Sequence, residues 1–342
     1  MKLAIVILNW NGAAMLRRFL PSVVASLEPD CEVIVADNGS TDDSLALLEQ
    51  AFPTVRRIAL PENYGFAEGY NRALAQVEAQ YFLLLNSDVR VEVGWLRPLL
   101  NYMDTHPECA ACQPKLLSER DPSMFEYAGA CGGYIDWYGY PFCRGRVFST
   151  VERDAHQYDT IVRILWATGA ALLIRRADWE AVGGLDGRFF AHMEEIDLCW
   201  RLRTRGRDVV CVPQSCAFHV GGGTLAQGNP HKTFLNFRNN LLLLYKNLPA
   251  RQLRRVLVVR FFLDYLAAIK FLMGGSLGEA TAVWRARREF HRIRHQFRPE
   301  REANLRLATT QAIPEIMSGS LLVAYYLKGR KTFAQLVSDK HT

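Results

Sequence analysis

Residues 3–8 read LAIVIL, residues 32–36 EVIVA and residues 81–88 YFLLLNSD. Each is a short apolar run that stops abruptly on polar residues, the pattern of a strand covered on both faces. The stops are Asn9-Trp10-Asn11-Gly12, Asp37-Asn38-Gly39-Ser40-Thr41-Asp42 and Asn86-Ser87-Asp88. Between the runs, residues 13–27, 44–52 and 69–78 read as helices, and residues 55–60 as one more strand. Strand, turn and helix in rotation predict an α/β fold with a mainly parallel central sheet covered by helices. Ligands of such sheets bind beyond the carboxyl ends of the strands. Asn9, Asn11, Asp37, Asn86 and Asp88 all fall there.

Further along, residues 95–103 predict a helix and 109–115 a strand. From 125 to 158 periodicity fails among glycines and aromatics (GACGGYIDWYGYPFCRG), which predicts a long ordered loop region with room for a hairpin; such excursions from a compact domain are usually functional. Strands resume at 167–175 and 208–212, and helices at 198–205 and 234–244. Residues 1–250 are therefore expected to form the catalytic domain, and 251–342 a helical, basic and amphipathic C-terminal region. Within the latter, VLVVRFFLDYLAAIKFLM (256–273) is long enough to span a bilayer, but Arg260, Asp264 and Lys270 interrupt it. Arg260 and Asp264, four apart, can pair on one helix face. The expectation is a helix lying on a membrane or closing over the body, with a true span as the alternative. A second, strongly basic helix is expected over 280–298.

The formal charge of +6 is uneven. Residues 1–250 carry 24 Lys/Arg against 28 Asp/Glu, residues 251–301 carry 12 against 4, and the remainder adds +2. A basic region beside a slightly acidic body fits an anionic surface, phospholipid or polyphosphate. Nucleic acid is not expected as a partner, because no zinc-finger spacing, RNP-like strand or basic-plus-heptad pattern is present. Eight cysteines do not make a disulfide scaffold at this length. Cys109, Cys112, Cys211 and Cys216 match a zinc site in number, but their apolar neighbours point to reduced cysteines in buried strands. The chain runs straight into a strand, without room for a signal peptide, which favours the cytoplasm.

Asp88 ends a buried strand at the ligand edge, where a carboxylate can hold Mg²⁺ or Mn²⁺ against a diphosphate; the alternative is a turn or capping Asp. Asp37 is delivered similarly, and two acids on one rim repel unless a cation or donor-rich ligand intervenes. Neither G-x-G-x-x-G nor G-x-x-x-x-G-K-[ST] occurs, so a dinucleotide fold and a P-loop are both poorly supported. His192-Met193-Glu194-Glu195-Ile196-Asp197 crowds three carboxylates into four positions. That is either an acidic helix start or a place where one Glu acquires a raised pKa fit to take a proton. His219, before Gly221-Gly222-Gly223, either reaches a metal or phosphate or is an ordinary surface histidine.

Eight segments in order carry a resemblance: VILNWNG, VADNGSTDDS, ENYGFAEGYNRAL, LLLNSDV, WATGAALLIRR, FFAHMEEIDLCWRLRTRG, HVGGGT and NFRNNLLLLYKNLP. The chain resembles inverting family 2 glycosyltransferases of the GT-A fold, nearest to the bacterial rhamnosyltransferase-like group acting on cell-surface polysaccharides. The resemblance covers roughly residues 1–250 closely and the downstream helices more loosely. It implies base recognition by Asp37, a nucleotide edge at Asn9 and Asn11, and a base and sugar border at Asn63, Gly65, Gly69 and Asn71. Asp88 matches the last acid of a metal-binding D-x-D whose first position is Asn86 here, so metal grip falls on Asp88 and His219. Glu195 matches the general base, usually Asp in the family, with Glu194 as the substitute. The implied partners are a nucleotide-diphosphate sugar donor (dTDP-rhamnose or a UDP-sugar), a lipid-linked or glycan acceptor, and an anionic surface on the inner face of the cell membrane. The aromatics of residues 127–140 and Trp166 are candidates for an acceptor wall or, equally, for core. The alternatives are a non-catalytic nucleotide-sugar-binding protein and a sugar nucleotidyltransferase; the latter normally has a basic Gly-rich loop after strand one, and LNWNG has no Lys or Arg.

Overall fold

Successive side chains of β1 (Leu3–Asn9) enter different cores: Leu3, Ile5 and Ile7 one, Ala4 and Val6 the other. Both faces are covered, and that is why the run is apolar at nearly every position. In the computed structural model, which describes residues 1–221 and 228–337, the rotation then proceeds as expected. It passes through α1 (Ala13–Ala25), β2 (Cys31–Asn38), α2 (Ser44–Ala51), β3 (Arg56–Leu60), α3 (Gly65–Leu74), β4 (Tyr81–Asn86), β5 (Val89–Val91), α4 (Leu96–Thr105) and β6 (Cys109–Ser118). α1, α2 and α4 cover one face of the sheet, while α3 packs on the other through Ala67, Tyr70, Ala73 and Leu74. β1 pairs in parallel with β2 and β4, and β2 with β3. The register sets Asn9 beside Asp37 and Leu8 beside Asn86, so three adjacent strands end on one rim.

The region expected as an ordered loop with room for a hairpin contains the strands of a second, small sheet. Its strands are β7 (Gly133–Asp136), β8 (Pro141–Cys143), β9 (Arg146–Val147) and β10 (Thr150–Val151), too short to show a period in the sequence. Trp166 locks it to the body: a Cβ on Gly133 would meet the indole ring at 2.0 Å, and Trp166 Nε1 donates to the Tyr134 carbonyl at 3.0 Å. Trp166 is therefore a core residue, buried to 3% exposure, and not part of an acceptor wall. Tyr127 and Trp137 do remain exposed.

β11 (Val162–Arg163) and β12 (Ala171–Arg175) return to the main sheet. β12 lies antiparallel between β4 and β6, so the parallel rotation is broken there. After α5 (Arg176–Val182) and α6 (Glu194–Thr204) comes β13 (Asp208–His219), longer than the strand expected over 208–212. Pro213 falls where the register shifts between Val212 and Cys216, and pairing with β6 resumes beyond it as far as His219. This delivers His219 to the ligand edge. Cys109, Cys112 and Cys211 are buried residues of β6 and β13, and burial pushes the Cys109 thiol up to about 12.

α7 (Pro230–Asn247), α8 (Ala250–Met273), α9 (Leu277–Ile293) and α10 (Arg298–Leu307) follow. The expected division after residue 250 falls at the first residue of α8, and one core crosses it. Leu253, Val256, Phe290 and Phe297 are buried in the same cluster as residues 241–244. The Arg260–Asp264 pair forms as read, Nε to Oδ1 at 3.0 Å, and it is buried. The tail adds β14 (Ile316–Met317) in parallel beside β7, and α11 (Phe333–Val337) is its last described element. Among the described residues no helix is long and apolar enough to cross a membrane.

Candidate active site

The rim above β1 and β2 is built from side-chain amides. Asn9 Nδ2 donates to Asp37 Oδ1 at 3.1 Å, and the Ser40 N–H donates to Asp37 Oδ2 at 3.0 Å. Asn11 Oδ1 accepts from the Thr41 N–H at 2.8 Å, tying the first turn to the second. Asn38, to which the sequence assigned no role, donates to Asn63 Oδ1 at 3.1 Å and to the Gly65 carbonyl at 3.0 Å. Gly65 has φ +75, and a Cβ there would come within 2.5 Å of the Phe190 ring. The glycine thus lets α3 begin directly against the segment that leads to Glu194. Asn71, a turn and a half further on, is a fastener instead: it exchanges hydrogen bonds with the Leu185 backbone at 2.7 and 3.0 Å. Asp37 and Asn86 lie two strands apart, about 10 Å at the usual spacing, a span suited to a nucleoside at one end and a diphosphate at the other.

At the second end, β4 and β13 place Asp88 and His219 together. His219 Nε2 is 3.1 Å from Asp88 Oδ1 and 3.4 Å from Asn86 Nδ2, and Nδ1 lies 3.3 Å from Glu126 Oε1. Burial opposes a charged imidazole, but the hydrogen bonds and charges of Asp88 and Glu126 outweigh it and lift His219 to about 10. Burial likewise opposes the Asp88 carboxylate, yet its hydrogen bond to His219 leaves its pKa below the ordinary value. This group fits a divalent ion. Asp88 would offer it an oxygen and His219, on giving up its Nε2 proton, a nitrogen, and Glu126 stands behind the ring as an outer-shell carboxylate does. Glu126 was not legible as a site residue, being a lone acid in an irregular stretch. The other acidic cluster, Asp154, His156 and Asp159, is largely exposed, and Lys115 already binds both of its aspartates. The part of the Gly run at 222 and 223 lies outside the described residues.

The third part is the backbone before α6. Phe190, His192 and Met193 all have positive φ, at 67, 71 and 76. Non-glycine residues rarely adopt this region, so the segment must be held by its surroundings. Asn239 on α7 holds it, donating to the carbonyls of Phe189 (2.9 Å), Ala191 (2.8 Å) and His192 (2.8 Å). From α3, the N–H of Phe66 donates to the Phe190 carbonyl at 2.7 Å. The segment aims Glu194 and Glu195 inward. Glu194 is buried, and burial plus the charges of Glu195 and Asp197 push its carboxyl well above the ordinary range. Glu195 is partly exposed, but its Oε2 is shielded and unpartnered, and burial lifts it to about 7. Its Cβ is 3.9 Å from where a Gly169 Cβ would stand, and the next residue, Ala170, accepts from the Asn86 N–H at 3.0 Å. The carboxylates therefore adjoin the Asp88 end of the rim. Burial and nearby Lys232 and His231 push His192 down to about 4, and its Nε2 also lacks a partner. Asp197, by contrast, is a fastener, paired with Arg201 and Lys246 at 2.9 and 2.7 Å.

A mainly parallel sheet with this amide-rich rim agrees with a GT-A-type glycosyltransferase. The comparisons agree: the family described as "Glycosyl transferase family 2" matches residues 4–126. The chain is 30% identical over 233 residues to the N-acetylglucosaminyl-diphospho-decaprenol L-rhamnosyltransferase of Mycobacterium tuberculosis, covering 64% of this chain and 75% of that one. The chain belongs to glycosyltransferase family 2. Its fold is shared with TarS 1–349 of S. aureus in complex with UDP-GlcNAc, at TM-score 0.54 and 16% identity over 90% of both chains. It is also shared with GalNAc-T7 with UDP, GalNAc and Mn²⁺, at TM-score 0.56 and 15% identity, over 72% of this chain and 48% of that one.

Proposed function

We propose that this chain transfers a sugar from dTDP-rhamnose or a UDP-sugar to a hydroxyl of a lipid-linked or polysaccharide acceptor, inverting the anomeric carbon. The observation that carries the reading is Glu195: a shielded, unpartnered carboxylate oxygen, lifted to about 7, beside the Asn86–Asp88 end of the rim. A base near neutrality can take a hydroxyl proton and still be ionised at working pH. The acceptor O–H gives its proton to Glu195 while the oxygen bonds to the anomeric carbon. The anomeric C–O bond to the diphosphate breaks, and its electron pair leaves with the nucleotide. Asp37, Asn9, Asn11 and Asn63 border the base and ribose, and Asp88 and a deprotonated His219 would hold Mg²⁺ or Mn²⁺. The ion would supply charge neutralisation for the diphosphate. The relative from M. tuberculosis supports rhamnose and a polyprenyl-diphosphate-linked acceptor, and the Mn²⁺ of the GalNAc-T7 structure supports a divalent ion.

The test is incubation with a panel of dTDP- and UDP-sugars and a polyprenyl-diphosphate sugar, with product mass and anomeric configuration read by mass spectrometry and NMR. An inverted product is expected. Nucleotide-sugar binding without transfer to any acceptor would favour the binding-protein reading, and consumption of a sugar phosphate with a nucleoside triphosphate the nucleotidyltransferase reading.

A further inference from the structure

α8 is amphipathic the wrong way round for a helix in water. Its inward stripe is Leu253, Val256, Arg260, Asp264 and Ala268, all buried. Its outward stripe is Val258, Phe262, Leu266, Ile269 and Met273, which are 57%, 67%, 62%, 52% and 85% exposed. These positions recur every three or four residues, so they form one ridge along the helix. The charges face the protein because partners wait for them there. Arg260 donates to the Tyr138 carbonyl at 2.9 Å and to Asn240 Oδ1, and Asp264 Oδ2 accepts from Arg287 at 2.5 Å. That network sets the rotation of the helix and leaves its apolar side uncovered.

The ridge has neighbours of the same kind. Leu277, just past the turn, is 66% exposed. Lys270 donates to the Tyr326 hydroxyl at 3.3 Å and thereby joins the π-helical turn Val323–Leu327 to the end of α8, adding exposed Val323, Tyr326 and Leu327. At the other end Arg251, Arg254 and Arg255 are exposed, and the only acid between residues 250 and 277 is the buried Asp264. A continuous apolar ridge, a Tyr and Lys at one end and three arginines at the other match the interfacial plane of a bilayer. There apolar side chains enter the acyl boundary and basic ones meet headgroup phosphates. A second copy of the chain is less well matched, since α8 offers no exposed acid to meet those arginines.

We propose that the outward face of α8, with Leu277 and the 323–327 turn, is a monotopic docking surface for an anionic phospholipid bilayer, on which α8 lies flat. This is independent of the transfer reading: either can fail alone.

The test uses the full chain and co-sedimentation with phosphatidylcholine vesicles, with and without phosphatidylglycerol. Wild type should pellet with the anionic vesicles and be released by high salt. The double substitution Phe262→Ser/Leu266→Ser should weaken binding at least about tenfold, the scale of losing two inserted apolar side chains. Arg254→Glu/Arg255→Glu, on exposed positions, should remove the preference for phosphatidylglycerol and also serves if the apolar pair impairs folding. Nucleotide affinity should stay unchanged in both. Wild type left in the supernatant, pelleting of both variants indistinguishable from wild type, or a wild-type dimer that Phe262→Ser/Leu266→Ser dissociates would each overturn the proposal.

Discussion

The side-chain amide of Asn239 donates to the main-chain carbonyl of His192 at 2.8 Å, across 47 residues of sequence, two positions before Glu194. Two further carbonyls share the same amide, so one α7 residue restrains the left-handed turn from which the carboxylates project. Asn239→Ala should loosen that turn without touching the nucleotide rim. The expected outcome is a fall in kcat of roughly 10²-fold, the scale of a misplaced reacting group, with nucleotide Kd nearly unchanged. The pH midpoint of kcat/KM should also move down towards that of an ordinary Glu as water reaches Glu195. A variant with lowered thermal stability but unaltered kcat and pH profile would reduce Asn239 to a structural fastener.

Glu126 is expected to matter through His219. If Asp88 and His219 hold the ion, Asp88→Asn and His219→Ala should abolish Mn²⁺-dependent binding of UDP or dTDP in calorimetry. Glu126→Gln should weaken it by about 10–100-fold, as loss of an outer-shell carboxylate usually does. Metal-dependent affinity that survives in Asp88→Asn would take the ion elsewhere.

What could be read from the sequence tracks how local the cause was. β1, β2 and β4 announce themselves because burial on both faces makes every position apolar, and their polar ends mark the rim without further help. The antiparallel course of β12 could not be read, because an apolar run looks alike in either direction. The strands of the small sheet span two to four residues each and are held by distant partners such as β14, 181 residues from β7 in the Ile316–Ile135 pair. The carboxylates at 194 and 195 stood out by crowding. Glu126 and Asn239 did not, since the role of Glu126 arises only when β13 brings His219 to it, and that of Asn239 only when α7 folds against the turn before α6.

Burial of Asp264 gives a stability prediction. It is fully buried and accepts from both Arg260 (3.0 Å) and Arg287 (2.5 Å). Asp264→Ala leaves two guanidinium groups without their counter-ion and should cost about 3–5 kcal/mol in urea unfolding, the usual scale for breaking a buried pair from one side. Replacing Arg260, Asp264 and Arg287 together with apolar residues of similar volume should cost much less. Equal losses in both would mean that packing, not charge, sets the cost.

Glu195 is the residue on which the proposed chemistry turns. Burial lifts its carboxyl from 4.5 to about 7, and Glu194 beside it is lifted too, so the pair shares its titration. A base must be ionised to act, so kcat/KM should rise with pH through about 7 and then level off. Glu195→Gln keeps the shape, deletes basicity, and should lower kcat by at least ~10²-fold while leaving nucleotide Kd within about threefold. Glu194→Gln should be milder. The same shifts act on stability. Between 4.5 and about 7 the folded chain holds protons that the unfolded chain has released, so stability falls as pH rises through that window. Either Gln variant should therefore melt higher than wild type above pH 7 and show little of that gain near pH 4. Activity measured across pH 5–9 alongside thermal melts separates the roles. An active Glu195→Gln with a dead Glu194→Gln would move the base to Glu194, and retention at the anomeric carbon would sink single displacement whichever carboxylate proved essential.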